Sequence, residues 1–407
     1  MFTGGLPQDN IVTSDKSFAD LGLSDKLTGA LYEIAFFRPT PIQTEVIPQA
    51  LAGTDLIGLA QTGSGKTAAF SLPMLERLAG RDRSQGTAAL VLCPTREIAL
   101  QTKSFLDVLE PTSGLSSVCL IGGVRMDPQI DGLRKRPDVI VATPGRLLDH
   151  VGRRTARLDR VQYLVLDEAD HMLDLGFLPQ ILRVLELLPT ERQTMMFSAT
   201  MPPQIDRIAR RFMSEPKQVD FRPDGRTAEG IEHRLYLVQP EDMRACLLSL
   251  LEEERGSTLV FLRRKVDAEW AHKQLAQEGH RVDRMHSDRS QRQRVAALAG
   301  LRSGKNRILL ATNVAARGID IPVIEHIINY GVPEGVEEYV HRAGRTARGD
   351  AEGVASTIAT WKHKQEIAMI ERALGKPLPR CTAPGVEPYV ERKTTIRGRK
   401  IRRRRLL

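Results

Sequence analysis

Two short stretches decide the fold: Ala60-Gln61-Thr62-Gly63-Ser64-Gly65-Lys66-Thr67 and Val165-Leu166-Asp167-Glu168-Ala169-Asp170. The first, called the phosphate loop below, supplies backbone N–H groups that can surround phosphates, a lysine charge and a hydroxyl for Mg²⁺. The second ends an apolar run in acidic residues that can hold the metal ion and activate water. Their separation along the chain suits one nucleotide-binding sheet, so together they predict an ATP site.

Each residue of these stretches has an expected role and a simpler alternative. Lys66 is expected to reach the β- and γ-phosphates, and Thr67 to bind Mg²⁺ at the start of a helix whose dipole favours anions. A plain glycine-rich turn is the alternative, but a turn does not need the Gly-Lys-Thr ending.

Asp167 is expected to bind the metal ion through water, and Glu168 to polarise the attacking water. The alternative, an acidic helix start, is disfavoured because a buried-strand pattern precedes Asp167, and α/β proteins bind ligands where strands end.

Short apolar runs alternate with segments of helical period along the whole chain. Ser24–Ala35 is one predicted helix, in which Ser24 can cap and Leu27, Leu31 and Ile34 share a face. The strand candidates are residues 88–93, 138–142, 162–166 and 194–197, and, later in the chain, 258–262, 307–311, 325–328 and 354–359. This alternation predicts an α/β fold with parallel sheets covered by helices on both faces.

A chain of 407 residues is long enough for two cores. The predicted organisation is an N-terminal extension 1–17, a first domain 18–216, a polar linker 217–230, a second domain 231–375 and a basic tail 376–407. The second half has no phosphate loop of its own. It is therefore expected to complete the site of the first domain across a cleft.

The positive charge is concentrated in the tail. The net charge is +9, and residues 376–407 contain 11 Lys/Arg against 2 Asp/Glu, so the rest of the chain is neutral overall. This composition predicts a disordered polycationic arm suited to phosphate backbones. A tail that only improves solubility is the alternative.

The remaining composition excludes several classes of protein. The four cysteines never form a close pair, which argues against a disulfide framework or a zinc site and favours a reducing cytosol. No stretch approaches the roughly 18 apolar residues of a membrane span, and the N-terminus lacks a secretory pattern. We therefore expect a cytoplasmic monomer without a membrane partner.

Three arginines, Arg342, Arg345 and Arg348, recur at every third position in the half that lacks a phosphate loop. Across a cleft, such guanidinium groups could neutralise charge on a transferring phosphoryl group, as arginine fingers do. A solvated basic helix face is the alternative.

Taken together, the motifs resemble the DEAD-box ATP-dependent RNA helicases of superfamily two, a family with two RecA-like domains. The match extends from Phe18 to about Gly353. It also includes Pro94–Ala99, Gly122-Gly123, Thr143–Arg146, Ser198–Thr200, Leu259–Phe261, Gln291 with Arg294, Ala311–Asp320 and His341–Arg348. The resemblance implies an RNA-dependent ATPase that opens short duplexes locally, with ATP and Mg²⁺ as cofactors and RNA as the partner.

The resemblance also assigns roles to residues. Gln43 can pair bidentately with adenine while Phe36 offers a stacking face. The cofactor-binding residues would be Phe18, Phe36, Gln43, Thr62, Gly63, Ser64, Gly65, Lys66, Thr67, Gly318 and Asp320, with Thr67 and Asp167 on the metal. The catalytic residues would be Lys66, Asp167, Glu168, Arg345 and Arg348. The RNA-binding residues would be Thr95, Arg96, Gly123, Thr143, Gly145, Arg146, Arg294 and Thr312. Ser198, Thr200 and His341 would link the nucleotide site to closure of the two domains.

Departures from the family pattern are mild. Ala35 replaces a usual Gly, and Asn313 replaces a usual Asp, which removes a charge but keeps an acceptor. A DNA helicase or remodelling ATPase is one alternative, disfavoured by the adenine-reading element. An RNA chaperone that uses little ATP is another, disfavoured because Lys66, Glu168 and Arg345 are all present.

Overall fold

The computed structural model describes residues 14–60, 63–82, 86–221, 230–253, 256–312, 324–346 and 353–389. Two seven-stranded sheets follow one another along the chain, and every strand pairing that the structure describes is parallel. Helices connect the strands. The predicted α/β class with two parallel-sheet domains is confirmed.

The first sheet has the strand order β3-β4-β2-β5-β6-β1-β7. Its strands are β1 Leu56–Leu59, β2 Ala89–Leu92, β3 Ser117–Leu120, β4 Val139–Ala142, β5 Tyr163–Leu166, β6 Gln193–Ser198 and β7 Lys217–Asp220. Its helices are α1 Asp25–Glu33, α2 Pro41–Leu51, α3 Lys66–Leu78, α4 Arg96–Ser113, α5 Asp127–Arg134, α6 Pro144–Gly152, α7 Ala169–Asp174, α8 Leu178–Leu187 and α9 Pro203–Phe212.

The second sheet repeats this arrangement with the order β10-β11-β9-β12-β13-β8-β14. Its strands are β8 Ile231–Leu237, β9 Thr258–Leu262, β10 Val282–Met285, β11 Ile308–Thr312, β12 His326–Tyr330, β13 Gly353–Ala359 and β14 Arg380–Cys381. The described helices are α10 Met243–Glu253, α11 Lys265–Gln277, α12 Gln291–Arg302, α13 Val336–Ala343 and α14 Lys364–Leu374.

Apolar residues cover both faces of the first sheet. One cluster on β1, β2 and β5 includes Leu56, Val91 and Val165, and a second cluster includes Ile57, Leu90 and Leu164 on the opposite face. All four residues of each of β1, β2, β4 and β5 are buried. Burial on both faces explains why these strands are continuous apolar runs rather than alternating ones.

The first sheet extends into the predicted linker, which is a correction to the domain boundary. Residues 217–220 form β7, which pairs with β1 in parallel. Without β7, β1 would be an open edge with unpaired backbone groups. The side chains of β7 are mostly exposed, so this strand has no apolar pattern by which it could be predicted.

The second domain likewise extends into the predicted tail. β14 pairs with β8, and Leu378, Ala383 and Val386 are buried at 2%, 2% and 9% exposure. Three apolar side chains between prolines have no helical or strand period, which is why the sequence did not reveal their packing. The predicted disordered tail is therefore wrong for residues 376–389, whereas residues 390–407 lie outside the described part of the chain.

A turn after α1 brings the adenine-reading element into place. Ala35 has a left-handed φ of 62°. Its N–H donates to the Tyr32 carbonyl at 3.1 Å, and the Phe36 N–H donates to the Leu31 carbonyl at 2.9 Å. This is a Schellman ending, for which glycine is the usual residue at the left-handed position. The alanine keeps the turn at the expense of backbone strain.

Replacing Ala35 with glycine is expected to stabilise the first domain. Relief of the left-handed strain exceeds the greater flexibility that glycine gives the unfolded chain, for a net gain of about 0.5–1 kcal/mol. Calorimetry of the intact protein would detect this as a higher Tm for the first domain. Ala52→Gly is the control, because Ala52 has an ordinary φ of −71°. A fall in Tm for Ala35→Gly equal to that of the control would contradict the strain.

Candidate nucleotide and RNA site

The strand order separates two groups of loops at one edge of the first sheet. Three neighbouring strands lead to the predicted nucleotide site: β5 is followed by the acidic motif, β6 ends at Ser198, and β1 is followed by the phosphate loop. The other group, β3, β4 and β2, is followed by the motifs assigned to RNA. Carboxyl ends of parallel strands lie at the same edge, where α/β proteins bind ligands. A nucleotide site and a nucleic-acid site can therefore lie side by side.

The phosphate loop leads directly into α3. Gly65 is the N-cap of that helix with φ 93°, and a Cβ at this position would lie 2.9 Å from Thr40 Oγ1. Lys66 is buried, and its amine donates to the Ala60 carbonyl at 2.9 Å. Gly63 and Ser64 precede the cap, and Thr67 is half-buried in the first turn. The helix start thus directs N–H groups and a lysine charge to one place.

The adenine-reading element is linked to the phosphate loop by side-chain hydrogen bonds. Thr40 Oγ1 donates to the Ser64 carbonyl at 2.9 Å, and Gln43 Nε2 donates to the Gly65 carbonyl at 3.0 Å. Gln43 Oε1 accepts from the Thr40 N–H at 2.9 Å, which completes a capping box at the start of α2. The amide of Gln43 therefore has a structural role in capping as well as a place beside the phosphate loop.

The aromatic residues of this element differ in exposure. Phe36 is half-buried, with its ring centroid 5.8 Å from that of Phe105. Phe18 is 4% exposed and belongs to the core cluster of the first domain. Phe18 thus packs in that core, whereas Phe36 keeps a partly open face and its neighbour Phe37 is exposed.

Asp167 provides a buried carboxylate at the end of β5. Its backbone N–H continues the sheet by donating to the Leu92 carbonyl at 2.9 Å. Burial raises the pKa of Asp167, and the nearby Lys66 ammonium opposes that rise. Oδ1 is buried without a hydrogen-bond partner in the described part of the chain. Such an oxygen is suited to a cation, which would also keep the carboxylate ionised.

Glu168 lies next to it in a strained conformation, with φ 48° at the N-cap of α7. Its Oε2 contacts His171 Nδ1 at 3.0 Å. Burial alone would raise the pKa of Glu168, but the His171 hydrogen bond and the charges of Lys66 and Arg345 hold it well below its usual range. The carboxylate is therefore ionised at neutral pH, as a base must be.

Asp170 connects the acidic motif to the end of β6. Its Oδ2 accepts from the Thr200 N–H at 2.9 Å, from Thr200 Oγ1 at 3.1 Å and from the Ala199 N–H at 3.1 Å. Its own N–H donates to Ser198 Oγ at 3.3 Å. Ser198 and Thr200, predicted as coupling residues, thus contact the loop that carries Asp167 and Glu168.

The predicted RNA-binding residues of the first domain lie on adjacent loops after β2, β3 and β4. The guanidinium of Arg96 packs directly over Gly123, where any Cβ would collide with it. Arg146 donates to the Val124 carbonyl at 3.1 and 3.2 Å. Thr95 and Thr143 are the N-caps of α4 and α6, and a Cβ at Gly145 would meet open space. The structure therefore brings all six together.

Arg294 of the second domain contacts a carboxylate of the first domain. In α12, its Nη2 lies 3.1 Å from Glu97 Oε1, with side chains 13% and 4% exposed. Without this partner, Glu97 would be a buried, unpaired charge. The predicted RNA contact of Arg294 stays a prediction. Thr312 is half-buried at the end of β11.

Of the three arginines predicted as fingers, Arg342 lies in α13 and Arg345 lies two residues after its end. Arg342 is anchored inward, donating to Asn329 Oδ1 at 2.9 Å and Glu338 Oε1 at 3.0 Å, with its guanidinium 4.8 Å from the Phe261 ring centroid. Arg345 is 7% exposed and close enough to lower the pKa of Glu168 across the cleft. Thr62, Gly318, Asp320 and Arg348 lie outside the described residues, and His341 is placed only as a member of α13.

Four residues of the site have partners that the sequence does not predict. Asp170 was quoted within the acidic motif and Glu97 within the motif after β2, yet neither was given a partner. His171 follows Glu168 by three positions, and that helical spacing was an available signal. Arg342 was named only as a member of the arginine series, and nothing in that repeat distinguishes it as the inward one.

Two other classes of site are absent from the residues that the structure describes. Where the structure describes the chain, no three or more His, Cys, Asp or Glu side chains group closely enough to hold a metal ion by themselves. None of the described helices is both long and apolar enough to cross a membrane.

Comparison with known families assigns both halves of the chain. Residues 40–208 match the family described as DEAD/DEAH box helicase, and residues 242–350 match the helicase conserved C-terminal domain. The ATP-dependent rRNA helicase RRP3 of Debaryomyces hansenii is 40% identical over 375 residues, which is 91% of this chain and 77% of that protein. The DEAD-box ATP-dependent RNA helicase CshA of Bacillus subtilis is 38% identical over 387 residues, which is 95% of this chain and 78% of that protein.

Solved structures agree with this assignment. Dbp5 of Saccharomyces cerevisiae bound to RNA and ADP BeF3 is 30% identical, covers 90% of this chain and 96% of its own, and has a TM-score of 0.78. A DEAD box protein from Methanococcus jannaschii is 34% identical over 90% of this chain and 99% of its own, with a TM-score of 0.52. With two matched domains, relatives near 40% identity and a shared fold, the chain belongs to the DEAD-box family of ATP-dependent RNA helicases.

Proposed function

We propose that this protein hydrolyses ATP in a cleft between its two domains and uses domain closure to open short RNA duplexes. The observation that supports this most strongly is the ion pair at 3.1 Å between Arg294 Nη2 of the second domain and Glu97 Oε1 of the first, which brings the second domain against the sheet edge that carries the acidic motif. Basic and acidic groups on two separate sheets form a complete site only when the domains approach. Binding of ATP and RNA would favour that closed arrangement, and hydrolysis would release it.

ATP would be held by the phosphate loop and its linked adenine element. Gly63, Ser64, Gly65 and Lys66 would surround the phosphates, because their N–H groups and charge converge at the start of α3. Gln43 and Phe36 would read the base. Thr62, Gly318 and Asp320 stay predictions from the family resemblance, as does the role of Phe18.

Mg²⁺ would be held by Asp167 and Thr67 together with phosphate oxygens. The unpartnered, buried Oδ1 of Asp167 fits a hard cation. Mg²⁺ commonly binds to one or two carboxylates plus substrate phosphates rather than to a cage made of protein alone. The ion would neutralise phosphate charge. Lys66 and Arg345 would supply the positive charges of the protein in the same place.

Glu168 would orient and deprotonate the attacking water. It is an ionised carboxylate at the edge of the phosphate site, held by His171 and next to the metal-binding Asp167. Arg345, with Arg348 by resemblance, would stabilise charge on the phosphoryl group in the transition state. Asp170, Ser198 and Thr200 would carry changes at this loop to the end of β6.

RNA would bind beside the nucleotide, over the loops after β2, β3 and β4. Arg96 packs against Gly123, and Arg146 donates to the carbonyl of the next residue, Val124. Thr95, Thr143 and Gly145 would contact the phosphates and sugars, as would Thr312 of the second domain. Such contacts position a strand without reading its sequence, so little sequence preference is expected from this core.

We infer a cytoplasmic location and a monomeric state on simpler grounds. All four cysteines are unpaired, which suits a reducing compartment. Both halves of the site lie on one chain, so no second copy is needed to complete it.

Glu168→Gln is expected to lower RNA-stimulated ATP turnover by about 10²- to 10⁴-fold while leaving ATP and RNA binding within a few-fold. The substitution removes the base and keeps the shape of the side chain. Phosphate release at saturating RNA, together with binding of an ATP analogue, would measure both effects. Glu191→Gln is the control, because Glu191 is exposed and lies in the loop before β6. Turnover at the parental rate in Glu168→Gln would remove Glu168 from catalysis.

Deletion of residues 390–407 is expected to weaken RNA binding in a salt-dependent way. This segment contains nine Lys/Arg and one Glu. Each neutralised phosphate contributes about −0.7 to the log–log salt slope for single strands, so about four contacts would change the slope by roughly three. ATPase activity at saturating RNA should be retained. If RNA titrations of the full chain and the deletion variant give the same slope of log affinity against log salt concentration, the segment does not bind RNA and only improves solubility.

Deletion from residue 376 provides the matched comparison. It also removes β14 and the buried Leu378, Ala383 and Val386, so it is expected to unfold or strongly destabilise the second domain. Calorimetry of the two deletions would separate loss of the packed segment from loss of charge.

A further inference from the structure

The imidazole of His171 contacts the carboxylate proposed as the catalytic base. His171 lies one helical turn after Glu168, in α7, and the distance from Nδ1 to Oε2 is 3.0 Å. The side chains are 6% and 10% exposed, so water competes little for this contact. An ionised carboxylate accepts hydrogen bonds and has no proton to donate. His171 Nδ1 is therefore the donor.

The backbone around this contact is held in an uncommon conformation. Glu168 has φ 48° and ψ 56°, a region that only a few non-glycine residues occupy. The Met172 N–H donates to the Glu168 carbonyl at 3.1 Å, which fixes the first turn of α7 to this residue. The backbone conformation fixes the direction in which the Glu168 side chain leaves the chain, and the hydrogen bond from the imidazole fixes the position of its carboxylate. Strain of this kind is often retained where it places a functional group.

A purely structural role does not explain why a histidine, rather than an apolar residue, is buried at position 171. Its other ring nitrogen, Nε2, is buried and has no hydrogen-bond partner among the residues that the structure describes. An apolar side chain would fill the same space without burying an unpaired polar atom. His150, also buried in the first domain, likewise has an unpartnered Nε2 among the described residues, but its Nδ1 lies 2.9 Å from the Thr155 hydroxyl rather than from a carboxylate. The polar contact that His171 gains in exchange is the one to Glu168.

We propose that His171 is a positioning residue for ATP hydrolysis. It holds Oε2 of the Glu168 carboxylate, so that the other oxygen, Oε1, is directed at the attacking water. The proposal rests on the role proposed above for Glu168. It assigns to this chain a donor that lies just beyond the four acidic-motif residues. Loss of such a supporting hydrogen bond commonly lowers activity about 10- to 100-fold, because small misplacement of a reacting group is costly.

Three variants of the full chain test the proposal. His171→Leu removes the donor, His171→Asn can place an amide N–H close to the position of Nδ1, and His171→Gln places its amide one bond farther out. At saturating RNA, kcat for ATP should fall about 10- to 100-fold in the Leu and Gln variants and stay within about threefold of the parent in the Asn variant. KM for ATP and RNA affinity should change less than about twofold in all three. If the Leu variant does not fold, the polar Gln variant answers the same question.

A double-mutant cycle separates positioning from stability. On the Glu168→Gln background there is no carboxylate to position, so His171→Leu should cause no further loss in single-turnover hydrolysis. His150→Leu is the control for a deleted buried histidine, with a lower Tm and unchanged kcat. The proposal is overturned by parental kcat in the Leu and Gln variants, by an equal loss in the Asn variant, or by a multiplicative loss on the Glu168→Gln background. Parental turnover of Glu168→Gln itself would instead overturn the role of Glu168.

Discussion

The parallel direction of every described strand is the constraint on which the rest of this structure depends. It brings all carboxyl ends of the first sheet to one edge, and the order β3-β4-β2-β5-β6-β1-β7 then divides the loops at that edge into two groups. In the proposed function, the loops after β1, β5 and β6 would bind the nucleotide and the loops after β2, β3 and β4 would bind RNA. The neighbouring strands β2 and β5 lie at the border. The motif after β2 therefore directly adjoins the acidic motif after β5, which offers a short physical route between RNA binding and hydrolysis.

Burial gives this site its electrostatic character. Asp167, Glu168 and Lys66 all lie below 9% exposure, so their charges act on one another with little screening by water. Two adjacent carboxylates in such a place need positive charge. The first domain supplies Lys66, the second supplies Arg345, and Mg²⁺ would supply the rest. The ion pair between Arg294 and Glu97 is a charged contact between the domains. Since each partner would be costly to leave buried alone, this ion pair favours an arrangement in which the domains stay together.

Much of the fold could be predicted from the sequence, because buried parallel strands are recognisable apolar runs. β9 was predicted with its observed bounds, Thr258–Leu262. β7 and β14 were not, since one has mostly exposed side chains and the other has two residues. In the site, residue types and spacing identified Lys66, Asp167 and Glu168. The partner of Arg294 could not be predicted, because Glu97 is distant in sequence and the pair forms only when two domains meet. The contact between His171 and Glu168 was within reach of helical spacing, but nothing in one sequence distinguishes a buried imidazole that serves catalysis from one that only packs.

If one catalytic centre is assembled from both domains, removal of Arg345 tests it most directly. Single-turnover ATP hydrolysis by Arg345→Ala, at saturating RNA, should be slower by about 10³-fold or more while ATP binding stays within a few-fold. Arg372→Ala, which removes an exposed arginine of α14 in the same domain, should behave like the parent. A rate close to that of the parent, with only RNA affinity changed, would place Arg345 in the RNA groove and contradict a catalytic centre shared across the cleft.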